Sequence, residues 1–152
     1  MTLAAGPFAV LRFDPAFAPL GHPGPGRFLD FGCGAGDFTL ELARRGHRGT
    51  AIDAAAEAAA RTTQRLIAAG TRDVEVVHGT VSDLTGPFDT VFAFEVIEHV
   101  TDDVDLLRQL RDMLAPGGRL VLSTPAHPGL WGETDTGSGH VRRYERDDLV
   151  GV

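Results

Sequence analysis

Residues 27–124 alternate between short apolar runs and longer segments with apolar residues at helical spacing. The short runs predict five strands, at residues 27–31, 49–53, 74–78, 88–94 and 119–124. The longer segments predict helices over residues 37–46, 55–69 and 104–114, and a last helix that begins at residue 145. Gly46, Gly70 and the Pro116-Gly117-Gly118 turn end the first three helices.

This alternation predicts an α/β fold with a doubly wound, Rossmann-like parallel sheet. The run at 88–94 is almost continuously apolar, which is typical of a central strand buried on both faces. Right-handed crossovers give the strand order 3-2-1-4-5, and the ligand crevice lies above strands one and four, where the order reverses. The sequence shows no strand after the fifth, whose outer edge carries Leu120, Val121 and Leu122. Three alternatives follow: the sequence is a fragment, it is a natural truncation, or a second copy or a partner chain covers that edge.

Length and composition indicate one domain, at 27–152, after an irregular lead-in at 1–26 that is rich in proline and glycine. The single cysteine, Cys33, excludes an internal disulfide, fits a reducing cytoplasm and is expected to be buried. The net charge of −7 argues against a nucleic-acid partner. No apolar run is long enough to span a membrane, and no secretory signal is recognisable.

A glycine-alternating turn, Asp30-x-Gly32-x-Gly34-x-Gly36, joins the first strand to the first helix. Glycines leave the backbone without Cβ atoms, so a ligand can lie directly against it, and the helix that follows presents its N–H groups. A dinucleotide fingerprint needs glycine at the sixth position, which is Asp37 here, so that fingerprint fails.

The turn resembles motif I of the class I S-adenosylmethionine (SAM)-dependent methyltransferases. Residues 87–95 and 114–122 resemble two later motifs of that family, in the family's order. Complete members continue the sheet with further C-terminal strands that this chain lacks. The resemblance implies that Asp30 faces the methionine ammonium group and that Asp53 accepts hydrogen bonds from the ribose; capping the second helix is an alternative or additional role for Asp53. The implied cofactor-binding set is Asp30, Gly32, Gly34, Gly36, Asp53, Thr80, Val81 and Glu95.

One position departs from the family pattern. Thr80 stands where the family usually places the Asp that accepts from the adenine amino group. Either Asp83 takes over from further along the loop, or the N–H of Val81 and a hydroxyl recognise adenine.

The segment Glu95-Val96-Ile97-Glu98-His99 follows strand four at the crevice. With His140, it resembles the metal-binding set of the small-RNA 3′-terminal 2′-O-methyltransferases, and ubiquinone-biosynthesis O-methyltransferases share a similar segment. The implied ligands of Mg²⁺ or another divalent cation are Glu95, Glu98, His99 and His140. In the alternative reading no metal binds, Glu98 caps the following helix, and His99 acts as a base or orients a loop. His99 and His140 are the candidate catalytic bases.

The loop after strand five offers further candidates. His127 lines the pocket or only forms a turn, and Trp131 supplies a flat wall for the acceptor or anchors the loop. Arg142 and Arg143 bind an acceptor carboxylate or phosphate, or are simply solvated.

We therefore predict a SAM-dependent methyltransferase that methylates a small-molecule acceptor, on a hydroxyl oxygen, with a divalent metal as an optional assistant. The alternative is a non-catalytic, degenerate SAM-binding module that needs a partner chain. An RNA-modifying enzyme is disfavoured by the acidity of the chain.

Overall fold

The computed structural model of the protein describes residues 26–150. The predicted lead-in lies outside them, apart from Gly26. Five parallel strands form one sheet in the order β3-β2-β1-β4-β5, which confirms the predicted α/β topology. The strands are β1 Arg27–Phe31, β2 Arg48–Asp53, β3 Val74–His78, β4 Phe88–Phe94 and β5 Leu114–Ser123. The helices are α1 Asp37–Arg44, α2 Ala56–Ala68, α3 Asp103–Asp112, α4 Glu133–Ser138 and α5 Arg146–Val150.

The core lies on both faces of the central strands. Val91, Phe92 and Ala93 of β4 are fully buried, as the apolar run predicts. On one face Phe38 of α1 packs edge-on against Phe92, with ring centroids 4.8 Å apart. This packing places the start of α1 directly after the carboxyl end of β1, where the glycine loop turns.

Strand β5 begins earlier than the sequence pattern predicts. Phe88 pairs with Leu114, and a register shift then accommodates the proline-glycine turn before regular pairing resumes at Arg119. A Cβ at Gly118 would lie 2.9 Å from the carbonyl oxygen of Ala115, so the bulge requires glycine there. The Pro116-Gly117-Gly118 turn therefore lies within β5, and α3 ends before it, at Asp112 rather than at the turn as predicted.

Residues 126–144 leave the sheet after β5 and come back to it; we call them the returning loop. The N–H of His127 donates to the carbonyl of Tyr144, and the N–H of Tyr144 donates to the carbonyl of Pro125, at 3.0 and 3.1 Å. Helix α4, which the sequence analysis did not predict, lies within this loop. The loop thus begins and ends at one point beside the carboxyl end of β5.

The outer edge of β5 has no neighbouring strand among the described residues. A groove of about 380 Å³ follows it, lined by Leu107, Leu120, Leu122 and Leu149 together with other residues of α3. Within residues 26–150, the structure contains no helix with the length and hydropathy needed to cross a bilayer.

Candidate functional site

A cavity of about 420 Å³ opens at the carboxyl ends of β1, β2 and β4, at the predicted crevice. Six of the residues that the sequence analysis selected line it: Gly32, Gly34, Asp53, Thr80, Glu95 and His99. The side chains or backbone of Asp30, Gly36 and Val81 do not line it. The crevice therefore brings together residues at or just beyond the ends of four separate strands, β1, β2, β3 and β4.

The three glycines of the loop after β1 all have positive φ angles, between 55° and 76°. A Cβ on Gly32 would lie 2.5 Å from a methyl carbon of Val96, and one on Gly36 would lie 2.4 Å from the hydroxyl of Thr62. A Cβ on Gly34 would meet nothing within 4 Å. Close approach of a ligand is therefore a reason for glycine at position 34, whereas packing explains the other two.

Asp53 connects the end of β2 to this loop. Its Oδ2 accepts from the N–H of Gly34 at 2.8 Å, and its Oδ1 accepts from the N–H of Ala55 at 2.9 Å. Helix α2 has Ala55 as its N-cap, with no side-chain cap. Asp53 thus holds the turn that precedes the helix while its carboxylate borders the cavity, and the ribose role remains a prediction.

Asp30 lies beneath the glycine loop rather than on the cavity wall. It is only 2% exposed, and its Oδ2 accepts from the hydroxyl of Thr39 on α1. Its contact with a methionine ammonium group remains a prediction. Cys33, 3% exposed, is buried as expected, and burial raises the pKa of its thiol to about 12.

In the loop after β3, the side chain of Asp83 is hydrogen-bonded to Thr80 of the same loop. The Oδ2 of Asp83 accepts from the N–H and the hydroxyl of Thr80, at 2.8 and 3.2 Å. Thr80 lines the cavity and Asp83 does not. This arrangement favours the alternative in which backbone and hydroxyl groups, rather than Asp83, face the adenine.

Glu95 adopts a left-handed conformation at the end of β4, with φ 55°. Its Oε1 accepts from the hydroxyl of Ser123 at 2.6 Å, and its N–H donates to the carbonyl of the same residue. A left-handed glutamate costs conformational energy, and such residues concentrate at functional sites. The turn sets Glu95 apart from the short helical turn Ile97–His99 that follows.

Glu98, His99 and His140 form a cluster in which the ligand atoms all lie within 4.8 Å of one another. The two imidazole rings meet edge to face, with centroids 4.8 Å apart. Glu95, the fourth predicted metal ligand, is not part of this cluster, and its role as a ligand remains a prediction. His99 belongs both to the cluster and to the cavity wall, so the two are adjacent.

The carboxyl group of Glu98 is fully buried. Its Oε2 accepts from the hydroxyl of Thr124 at 3.1 Å, whereas its Oε1 has no hydrogen-bond partner within the described residues. Burial, aided by the negative charge of Glu95, raises the pKa of Glu98 to about 7. A buried acceptor without a donor is costly, so this oxygen is suited to receive a proton or a cation.

Two residues of the returning loop hold His140: Asp135 directly, and Arg143 through Asp135. The sequence analysis considered Arg143 only for acceptor binding or as a solvated side chain. The Nδ1 of His140 lies 3.0 Å from Oδ1 of Asp135, whose carboxylate is also paired with Arg143. The hydrogen bonds from Arg143 hold the pKa of Asp135 well below its usual range. Asp135 is the aspartate between Trp131 and the Gly139-His140-Val141-Arg142-Arg143-Tyr144 run, and the sequence analysis gave it no role.

The two arginines are ion-paired within the chain. Arg142 lies 3.0 Å from Oδ2 of Asp103, and Arg143 forms a bidentate pair with Asp135. Neither matches the solvated pair considered above, and binding of an acceptor carboxylate or phosphate by either arginine remains a prediction. The side chain of His127 is 68% exposed and does not line the cavity, in agreement with the alternative that it only forms a turn. Trp131 is 44% exposed.

Comparison with known proteins identifies relatives of this chain. A family profile described as "Methyltransferase domain" matches residues 9–149. The ubiquinone biosynthesis O-methyltransferase of Xanthomonas euvesicatoria is 38% identical over 101 residues, which cover 64% of this chain and 42% of that protein. The chain spans less than half the length of the curated relatives it matches.

Solved structures share the fold. Coclaurine N-methyltransferase, bound to N-methylheliamine and SAH, aligns with a TM-score of 0.70 at 22% identity, over 78% of this chain and 36% of that chain. The [4+2]-cyclase SpnF aligns with a TM-score of 0.70 at 22% identity, over 83% of this chain and 49% of that chain. At this identity the likeness shows the fold alone.

Proposed function

Because the chain belongs to the class I SAM-dependent methyltransferase family, we propose that it transfers the methyl group of SAM to a hydroxyl oxygen of a small-molecule acceptor. The cavity above β1, β2 and β4 is the proposed SAM site. The open approach to Gly34 and the carboxylate of Asp53 beside it support this use. The name of the curated relatives, which are O-methyltransferases, favours oxygen as the acceptor atom.

The cluster of Glu98, His99 and His140 beside the cavity is the observation that supports O-methyl transfer assisted by a divalent cation. The residues fit a divalent cation: Oε1 of Glu98 is a buried acceptor without a partner, and both imidazoles have one nitrogen engaged by the protein. A bound cation would polarise the acceptor oxygen as a Lewis acid. Two imidazoles and one carboxylate suit Mn²⁺ or another first-row ion better than Mg²⁺, whose usual ligands are oxygens.

The chain's own residues account for the proton. The Nδ1 of His99 lies 3.3 Å from the carbonyl oxygen of Gly139 and therefore donates to it, which leaves Nε2 able to accept. In the proposed reaction the acceptor oxygen bonds to the methyl carbon while the carbon–sulfur bond breaks. The electron pair returns to sulfur and S-adenosylhomocysteine (SAH) is released. The hydroxyl proton moves to Nε2 of His99 where that nitrogen holds no cation, and otherwise to solvent water. The cluster aligns the acceptor beside an already activated donor.

Calorimetry with SAH, followed by SAH release from SAM with catechol as the probe acceptor, tests the proposal. We expect SAH to bind and catechol to be methylated faster with Mn²⁺ than with EDTA. Glu98→Gln and His99→Ala should lower the rate at least tenfold, whereas His127→Ala, at an exposed histidine outside the cavity, should not change it. No SAH binding would refute the SAM site.

The alternative, a non-catalytic SAM-binding module, is favoured by two facts. The chain covers less than half of its curated relatives, and the apolar groove along β5 has no covering strand among the described residues. In that case SAH would bind without turnover on any hydroxylated acceptor. Sedimentation of the chain alone would then show whether a second copy covers the β5 edge. We propose that either role is exercised in the cytoplasm.

A further inference from the structure

The carboxylate of Asp135 is a fully occupied hydrogen-bond acceptor at the centre of the returning loop. Its Oδ1 accepts from Nε of Arg143 at 2.6 Å and is 3.0 Å from Nδ1 of His140. Its Oδ2 accepts from Nη2 of Arg143 at 2.9 Å and from the N–H of Gly132 at 2.8 Å. Asp135 is 1% exposed, so these four donors replace its solvent.

This carboxylate determines which nitrogen of His140 carries the proton. An ionised carboxylate only accepts hydrogen bonds, so the Nδ1 of His140 must be the donor. The neutral ring then holds its lone pair on Nε2, the nitrogen left to face a ligand. Arg143 in turn fixes the carboxylate by its two parallel hydrogen bonds, a geometry that lysine cannot reproduce.

We infer that Asp135 and Arg143 are positioning residues that hold His140 in its Nδ1–H tautomer and aim its Nε2 at the site shared with Glu98 and His99. The inference rests on the proposed function of that cluster. Neither residue touches the cavity, and both act through the imidazole. Carboxylates that bind the outer nitrogen of a ligating histidine raise its basicity and set its orientation.

The same loop orients the second imidazole. The carbonyl of Gly139, the residue before His140, accepts from Nδ1 of His99 at 3.3 Å. The N–H of Val141, the residue after it, donates to the carbonyl of Glu98 at 2.8 Å. The two residues that flank His140 therefore bind the other two members of the cluster, so displacing Asp135 is expected to loosen the whole set.

A matched control lies at the start of α3 and is paired with the same loop. Asp103 is also buried and also paired with an arginine, Arg142, and it accepts from the hydroxyl of Tyr144 at 2.6 Å. It has no contact with His140 among the described hydrogen bonds and ion pairs. Asp103→Asn thus removes a comparable buried carboxylate without touching the imidazole.

The first test needs no substitution. Nitrogen-15 NMR of the metal-free wild-type chain, above the pH at which the imidazoles are neutral, distinguishes the two tautomers of each histidine. We expect the Nδ1–H form for His140 and His99. For His78, whose Nε2 lies 3.2 Å from the carbonyl oxygen of Ala54, we expect the Nε2–H form. An Nε2–H form for His140 would overturn the inference.

The second test compares Asp135→Asn and Arg143→Lys with Asp103→Asn. Asparagine offers one acceptor oxygen to four donors, so His140 should shift toward the Nε2–H form, and Mn²⁺ affinity measured by EPR should fall 10- to 100-fold. Arg143→Lys should weaken Mn²⁺ binding less. Asp103→Asn should keep the His140 tautomer and stay within threefold of the wild-type affinity.

The outcomes separate this inference from the proposed function. If the wild-type chain binds no Mn²⁺, the cation site fails, and the tautomer of His140 alone decides the role of Asp135. If Mn²⁺ binds equally to the wild-type chain and to folded Asp135→Asn, the positioning role is refuted while the cation site stands. If Asp135→Asn does not fold and Asp103→Asn does, the positioning role is judged from the tautomer of His140 in the wild-type spectrum and from the Mn²⁺ affinity of Arg143→Lys.

Discussion

Gly34 and Glu98 are the two residues whose chemistry most directly limits what the cavity can accept. Gly34 turns an unshielded stretch of backbone toward the ligand, and Glu98 holds a buried oxygen that nothing in the described chain satisfies. Both features cost stability: the first through a left-handed φ angle and the second through desolvation. A substitution at either residue is therefore expected to change ligand binding and folding stability by different amounts, so the two effects can be measured separately.

Gly34→Ala should abolish tight SAH binding, because the new methyl group would occupy the ligand's approach. Gly46→Ala is the matched control, since Gly46 also has positive φ and open space around its missing Cβ. Both variants should lose about 1–2 kcal/mol of folding free energy from the left-handed backbone. Calorimetry should show at least a tenfold weaker SAH affinity for Gly34→Ala alone. Equal affinities would mean that the loop does not contact the cofactor.

Glu98 should make the metal-free chain less stable as the pH rises. Its folded-state pKa is about 7 against an ordinary value of 4.5, so between these values the folded state binds more protons than the unfolded state. The free energy of unfolding then falls with rising pH, and the contribution is lost by about pH 7. In EDTA, Glu98→Gln should remove this decline and be more stable by about 2 kcal/mol near pH 8.

Urea titrations across this pH range provide the check, and at about pH 4 the difference between wild type and Glu98→Gln should become small. Mn²⁺ should restore the stability of the wild type at high pH and have no such effect on the variant. A wild-type curve that stays flat relative to Glu98→Gln would show that the carboxyl group ionises at its ordinary pKa.

Helix α2 supports the glycine loop from the side opposite the cavity. The hydroxyl of Thr62 donates to the carbonyl of Gly34 at 3.2 Å, and Nη1 of Arg65, one turn later, donates to the carbonyl of Ala35. Arg65 also pairs with Asp37 at the start of α1. Because the carbonyls of Gly34 and Ala35 both accept hydrogen bonds from α2, a rotation of these peptide groups would break those hydrogen bonds.

Thr62→Val should weaken SAH binding about fivefold and cost about 1 kcal/mol of stability, because it leaves the carbonyl of Gly34 without its donor. Thr62→Ser should restore both. Thr63→Val is the control on the adjacent position, since the hydroxyl of Thr63 donates only within its own helix, to Ala59. Calorimetry and urea unfolding measure the two effects, and an unchanged SAH affinity in Thr62→Val would contradict the prediction.

The strands were predictable because a central parallel sheet needs uninterrupted apolar runs. The residue bounds of β1, β3 and β4 agree with the prediction, and the helix ends differ by one or two residues, as terminal turns usually do. The early start of β5 was not predictable, since a bulge lets Leu114 pair before the glycine turn. Helix α4 escaped prediction because Glu133–Ser138 is short, polar and contains Gly137.

The site was predictable where a residue follows directly from a strand end. Gly34, Asp53 and His99 line the cavity because each lies at or just beyond the end of a parallel strand. Asp135 was not predictable, because its partner His140 approaches through a tertiary contact of the returning loop. The resemblance grouped Glu95 with Glu98 as metal ligands, but Glu95, whose backbone is left-handed, is not part of the cluster.

Across the whole molecule, ligand binding and folding are coupled, since the cavity walls come from β1, β2 and β4 together. Any compound that binds only this assembled arrangement stabilises the complete fold. The size of the effect depends on the ratio of the ligand concentration to its dissociation constant rather than on the number of contacts.

SAH at a hundredfold excess over its dissociation constant should stabilise the chain by about 2.7 kcal/mol. The thermal midpoint should then rise by roughly 5–10 °C. NAD⁺ is the comparison ligand, since Asp37 occupies the position where a dinucleotide fingerprint has glycine. Thermal scans with each compound measure the shift. Equal shifts would indicate that the loop does not distinguish a nucleoside thioether from a dinucleotide.

The returning loop leaves and rejoins the protein at neighbouring backbone positions, through the paired hydrogen bonds between Tyr144 and residues 125 and 127. A loop whose two ends are adjacent can change in length or sequence without moving the strands that it connects, because its ends stay in place. The imidazole it delivers and the compounds it admits can diversify in this way while the nucleoside half of the cavity is inherited unchanged.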